Sequence, residues 1–189
     1  MIILCFQEKI SPVYGVSRGA LRGTAVHRVM ECLDFVKMKE IDQRDEQAVK
    51  EFVRDELLRM KRSNELTKEM SELIYPSMIE EFVRSGIASR MAKAAADGKL
   101  YKEKPFVMEH EGVLVQGIID VFWEEGDSLV VLDYKTDRVK TSGELVLRYK
   151  TQLELYADAL SRIFSTKGKT WSIKDALLYS FHLKEVVHL

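Results

Sequence analysis

Val113-Leu114-Val115-Gln116-Gly117-Ile118-Ile119-Asp120-Val121-Phe122-Trp123, followed by Glu124-Glu125-Gly126-Asp127 and then Leu129-Val130-Val131-Leu132-Asp133-Tyr134-Lys135, is the stretch that decides the fold. The first segment is dense in β-branched and aromatic residues and reads as a strand. The second is a turn, and the third is a shorter strand folded back on the first. Glu111-Gly112 marks another hairpin turn, which makes Pro105 to His110 a strand as well. Three consecutive strands form a meander.

Downstream, the spacing predicts a long helix from about Ser142 to Phe164, with Leu145, Tyr149, Gln152, Leu153, Tyr156 and Leu160 near one side. Residues 172–181 and 184–188 read as two closing strands. Upstream the period changes to three and four. Ala20, Leu21, Thr24, Ala25, Val29 and Leu33 mark a helix from Ser17, and Val49, Phe52, Val53, Leu57 and Met60 mark another within 43–62. Further helices are expected over 66–73 and from Pro76 to about Ala96, where Asp97-Gly98 makes a stop. Residues 1–16, with Pro12 and Gly15, read as an irregular entry. The expected class is α/β: a mixed central sheet flanked by helices, with a helical N-terminal half. A length of 189 residues suits one domain, with a helical part at about 17–96 and the sheet and its helices at about 101–189.

Composition narrows the function classes. Hydrophobic residues make up 46% and charged residues 31%, and no apolar run is long enough to span a membrane. The N-terminus lacks the basic start and small-residue cleavage site of a signal peptide, so a cytoplasmic location is expected. Cys5 and Cys32 are too few for a four-cysteine zinc or iron–sulfur site, and Cys32, on an apolar helical face, is expected to be a buried thiol. The net charge of −1 argues against a complete, free-standing DNA binder, but not against a domain whose grip on DNA comes from attached partners.

The chemistry gathers on the two central strands. Side chains alternate along a strand, so Asp133 and Lys135 share a face while Tyr134 points away. A carboxylate there can bind a hard divalent cation, and an ammonium beside it can serve an attacking water and a phosphate. The same pair can equally be a simple same-face ion pair. Asp120 adds a carboxylate inside an apolar strand, where an unpaired charge is costly. The 124–127 turn brings it next to Asp133. Metal binding is the favoured reading; a structural bridge from Asp120 to Lys135 or Arg138 is the alternative.

Gly117-Ile118-Ile119-Asp120, Asp133-Tyr134-Lys135 and Gln152-Leu153-Glu154-Leu155-Tyr156, taken in order, resemble the motifs of RecB-family nucleases within the PD-(D/E)XK superfamily. Gly23-Thr24-Ala25-Val26-His27 resembles that family's N-terminal helix, and Ala176 to Phe181 resembles the closing strands of AddA-type helicase–nuclease subunits. The resemblance implies a restriction-endonuclease-like fold and a DNA nuclease dependent on Mg2+ or Mn2+, without an iron–sulfur cluster, hydrolysing phosphodiesters to leave 5′-phosphates. It implies His27, Asp120, Asp133 and the backbone carbonyl of Tyr134 as metal ligands. Lys135 would act on the water and the phosphate, with Gln152 and Tyr156 supporting the site or touching DNA. Tyr156, on a core-facing stripe, also reads as structural. Glu103, in Glu103-Lys104-Pro105-Phe106, is a supporting or DNA-side candidate, or simply a neutraliser of nearby lysines. Glu31 reads as a surface charge or as support for His27.

The resemblance further implies a C-terminal piece of a larger helicase–nuclease that resects double-strand breaks. Its partners would be an AddB-like subunit, the helicase portion of the same polypeptide and a DNA single strand. A non-catalytic nuclease-fold module or a stand-alone RecB-like exonuclease are the competing classes; an inert relative is expected to lose the acids or the lysine. Gly168-Lys169-Thr170 matches the end of a phosphate-binding loop, but Ile163 stands where that loop needs its first glycine. His110, His182 and His188 read as surface or satisfied residues.

Overall fold

A computed structural model describes the backbone of residues 3–6 and all of residues 17–165 and 170–189. Gly168 and Lys169 therefore lie outside the described residues, as does the Cys5 side chain. The helical half runs α1 (Arg18–Cys32), α2 (Phe35–Met38), α3 (Glu46–Arg62), α4 (Lys68–Leu73), α5 (Pro76–Val83) and α6 (Gly86–Ala96). Side-chain oxygens cap most of these helices: Ser17, Asp34, Asp45, Thr67 and Ser85 each accept a backbone N–H of the first turn.

Two expectations for this half need correction. The helix expected from Pro76 to Ala96 is two helices. Ser85 leaves helical dihedrals (φ −73°, ψ 149°) and its hydroxyl caps Ala88, so the chain turns while both pieces keep their apolar faces inward. Cys32 is half-buried at the end of α1 rather than fully buried. The short helix α2, entered through the Asp34 cap, has no periodicity long enough to announce it.

The sheet comprises β1 (Ile3–Phe6), β2 (Leu100–His110), β3 (Val113–Glu125), β4 (Ser128–Lys135), β5 (Ser172–Ser180) and β6 (Glu185–His188), with α7 (Ser142–Phe164) between β4 and β5. The 1–16 segment thus contains a strand, because Ile3–Phe6 pairs in parallel with Leu114–Gly117. Strand β2 begins earlier than Pro105, and β3 runs two residues beyond Trp123, which tightens the second turn to Gly126-Asp127. Glu111 and Gly112 both take positive φ (51° and 76°), the geometry of a two-residue hairpin whose twist matches its strands.

The order β1-β3-β4-β5-β6, with β2 on the other edge of β3, makes a mixed sheet: the β1–β3 and β4–β5 pairs are parallel, the rest antiparallel. Two hydrophobic layers cover it. Val121, Trp123, Val130, Leu132, Tyr134, Leu177 and Tyr179 pack under α1–α6. Ile119, Phe122, Leu129, Val131 and Leu178 pack under α7. Neighbouring odd positions Ile119 and Val121 fall in different layers, so the simple alternation of β3 breaks at Asp120. The residue across from it on β2, Glu103, adopts a left-handed φ of 50°, unusual for a side chain other than glycine.

The break opens a fork. β1 holds β3 as far as Gly117, and β4 holds the same edge only from Val121 onward. Asp120 stands between these two ladders. Helix α1 closes over the fork at Gly23, where an added Cβ would lie 3.0 Å from the Thr136 hydroxyl oxygen. Gly23→Val is accordingly expected to destabilise the fold by about 1–3 kcal/mol, read as a lowered urea midpoint. An unchanged midpoint would mean that the Thr136 segment yields freely.

Candidate active site

Asp120 is 2% exposed, and its Oδ2 accepts the Tyr134 N–H at 2.9 Å in place of a ladder partner. The same oxygen lies 3.4 Å from His27 Nδ1 on α1. Tyr134 turns into the helical layer, edge-on to the His27 ring at 6.1 Å between centroids. Asp133 is fully buried, and its Oδ2 lies 2.6 Å from Lys135 Nζ. That contact is an ion pair: neither oxygen of Asp133 makes a hydrogen bond of regular geometry among the described residues.

Lys135 is held from three sides. Besides Asp133, its ammonium donates to Gln152 Oε1 at 3.1 Å and sits 3.9 Å from the ring centroid of Tyr149. Gln152 in turn donates its amide to the Tyr156 hydroxyl at 2.7 Å. The four-residue spacing on α7 thus becomes one relay from Tyr156 through Gln152 to Lys135. Tyr156 is also fully buried against Phe106, so its ring is part of the core.

Tyr149, which by sequence alone belongs to the core stripe of α7, lies against the Lys135 ammonium and so joins the candidate site. It lies one helical turn before Gln152, and that spacing is the signal that points to it. Its hydroxyl donates to Asp137 at 3.0 Å, which ties the Lys135 platform to the segment after β4. Glu103 stands opposite Asp120 in the β2–β3 register, between the Lys102–Val121 and Lys104–Ile119 pairs, which places it near the site. Glu31 pairs with Arg28 at 2.8 Å, as a surface charge would. His110 contacts Asp158 at 3.3 Å, and His182 and His188 are exposed.

The electrostatics follow from burial. Desolvation opposes a charge on His27, yet the Asp120 carboxylate, assisted by Asp133, outweighs it and pushes the pKa up to about 9. Burial raises the Asp133 carboxyl above the usual range, against the pull of Lys135 and with the push of Asp120. Burial first, then nearby carboxylates, also raises the phenols of Tyr149 and Tyr156.

Among the described residues, no three His, Cys, Asp or Glu side chains stand as a ready metal cage. Asp133 turns to Lys135, while Asp120 turns to His27 and the Tyr134 N–H. The donor set still suits a hard divalent cation. The imidazole of His27 lies against the buried Asp120 carboxylate, and Asp133, buried on the neighbouring strand, presents oxygens without regular hydrogen bonds among the described residues.

A mixed sheet forked at a buried aspartate, with an aspartate and a lysine on the next strand, defines a nuclease class. The family model described as the PD-(D/E)XK nuclease superfamily matches residues 5–186, and the chain belongs to that superfamily. Its architecture is the restriction-endonuclease-like one, with a helical N-terminal half. The chain is similar to the A subunit of the ATP-dependent helicase/nuclease of Clostridium perfringens, at 35% identity over 185 residues, covering 88% of this chain and 14% of that protein. It is 32% identical over 199 residues to the protein of the same name from Clostridium botulinum (97% and 14%) and 33% identical over 186 residues to that from Alkaliphilus oremlandii (90% and 14%). The chain thus spans about 14% of the length of these relatives. Among the described residues, no helix is long and apolar enough to cross a membrane.

Proposed function

We propose that residues 1–189 form a single metal-dependent DNA nuclease domain that hydrolyses phosphodiester bonds with a metal-activated water. In this reading Asp120, Asp133, His27 and the Tyr134 carbonyl hold Mg2+ or Mn2+. The ion would supply a water of lowered pKa and neutralise charge on the phosphate. Lys135 orients the attacking water and donates to a phosphate oxygen as negative charge grows. Gln152, backed by Tyr156 and with Tyr149 beneath, keeps that ammonium aimed. The observation carrying the proposal is the meeting of Asp120, Asp133 and Lys135 at the fork, with His27 arriving from α1.

The similarity to the A subunits of helicase/nucleases supports a place within an AddA-type polypeptide. Its helicase portion and an AddB-like subunit would deliver a single DNA strand for end resection in recombinational repair. The direct test is cleavage of end-labelled single-stranded DNA with Mn2+ or Mg2+, expected to stop on chelation. Absence of metal-dependent cleavage with both ions would refute the activity.

Metal binding has a separate signature. His27 carries its proton up to about pH 9, and an imidazole must be neutral to bind a metal. Titration with Mn2+ at neutral pH is therefore expected to release about one proton per ion, measured by calorimetry in buffers of different ionisation heat. His27→Ala should remove that release and weaken the rise in melting temperature caused by Mn2+. Equal proton release from the wild type and the variant would reject His27 as a ligand.

A further inference from the structure

Next to the site lies a groove of about 650 Å³ lined by Arg18, Arg22 and Gly23 of α1 and by Thr136, Asp137 and Arg138 after β4. Three of its lining residues are arginines. Most arginines elsewhere, such as Arg59, Arg90 and Arg162, hold carboxylates, although the scattered Arg44 and Arg62 hold none among the described residues. Arg18, Arg22 and Arg138 hold none among the described residues, although the chain as a whole is slightly acidic. Among the described residues the buried Nε of Arg22 has no hydrogen-bond partner, and its guanidinium lies 5.0 Å over the ring of Tyr75, which is 50% exposed. The groove's carboxylate, Asp137, is engaged by the Tyr149 hydroxyl and by Arg148 at 3.6 Å. An excess of positive charge therefore remains.

The location gives this charge a direction. Thr136 follows Lys135 directly, and Asp137 is tied to the tyrosine beneath the lysine ammonium. Arg22 lies five residues before His27 on α1, a rise of about 7.5 Å. A basic channel with an aromatic ring at its side is the combination that binds single strands without regard to sequence. The cations track phosphates and the ring stacks a base.

We propose that this groove is the strand-guiding subsite: Arg18, Arg22 and Arg138 hold backbone phosphates adjacent to the scissile bond, and Tyr75 stacks a neighbouring base. The proposal rests on the nuclease reading for its substrate, but its test is a binding measurement. Arg18 and Arg138 are exposed, so their replacement does not disturb the core.

The full 189-residue chain would be titrated with a fluorescent oligothymidylate in EDTA, which prevents cleavage, over a range of salt. The double variant Arg18→Ala/Arg138→Ala should bind at least about tenfold more weakly, with a salt slope shallower by about 1.4, or about 0.7 for each phosphate no longer neutralised. Tyr75→Ala should weaken binding without changing the slope. Lys93→Ala, an exposed lysine on α6 away from the groove, should change neither. The proposal is overturned by no measurable binding to the wild type at low salt, by wild-type affinity and slope in the double variant, or by an equal loss from Lys93→Ala. Groove-dependent binding by a wild type that never cleaves would sustain the groove while refuting the nuclease reading.

Discussion

Lys135→Ala is expected to lower metal-dependent cleavage by about 10²–10³-fold, the usual loss when a donor to developing negative charge is removed. The loss should not be purely catalytic. Lys135 is the cation paired with the buried Asp133, so its removal leaves a buried carboxylate without its cation. Breaking a buried pair in this way costs about 3–5 kcal/mol. Because the Asp133 carboxyl is raised by burial, it can take up a proton instead. The destabilisation should therefore be small in mild acid and grow as pH rises. Urea melts of the wild type and variant at two pH values measure that difference. Asp120→Asn separates the two effects: the side-chain oxygen still accepts the Tyr134 N–H while the charge is gone. That variant should fold and fail to cleave. Cleavage at the wild-type rate by either variant would remove that residue from the mechanism.

Asp133→Asn should make the metal-free protein more stable while abolishing its cleavage. A carboxyl whose pKa is raised on folding favours its protonated form in the native state. Its contribution is harmless below the ordinary carboxylate range. It becomes a cost as pH rises through the raised pKa, and that cost is complete at neutral pH. A neutral amide avoids it, and Lys135 keeps Gln152 and Tyr149. A gain of about 1–3 kcal/mol at neutral pH is expected, seen as a higher melting temperature. With saturating Mn2+ the order should reverse, since only the wild type binds the ion tightly. A lower melting temperature for the metal-free variant would mean that the ion pair outweighs desolvation. His27 has the same pH dependence through a favourable contact: its stabilising interaction with Asp120 is complete below about pH 6.5 and is lost as pH rises through about 9.

Much of the architecture is legible in the sequence because it is written in local chemistry. Helix α7 begins and ends at the residues its spacing indicates, Ser142 and Phe164. The β2–β3 hairpin follows from Glu111-Gly112, and the same-face placement of Asp133 and Lys135 follows from strand alternation. Other features depend on neighbours distant in sequence. The break at Ser85 costs little locally and is favoured because α5 and α6 both pack on the same layer. The pairing of Ile3–Phe6 with β3 crosses more than half the chain.

The site divides in the same way. Residue types and two-, three- and four-residue spacings determined that an acid, a second acid and a lysine would share two adjacent strands, and that Gln152 and Tyr156 would share a helical face. Only the tertiary structure decided that His27 meets Asp120, that Asp133 rather than Asp120 takes Lys135, that Tyr149 lies under the ammonium, and that three arginines surround one groove without carboxylate partners among the described residues. The physical reason is range. Periodicity and turn chemistry act over a few residues, whereas partnership between buried charges is set by how α1, the forked sheet and α7 close on one another.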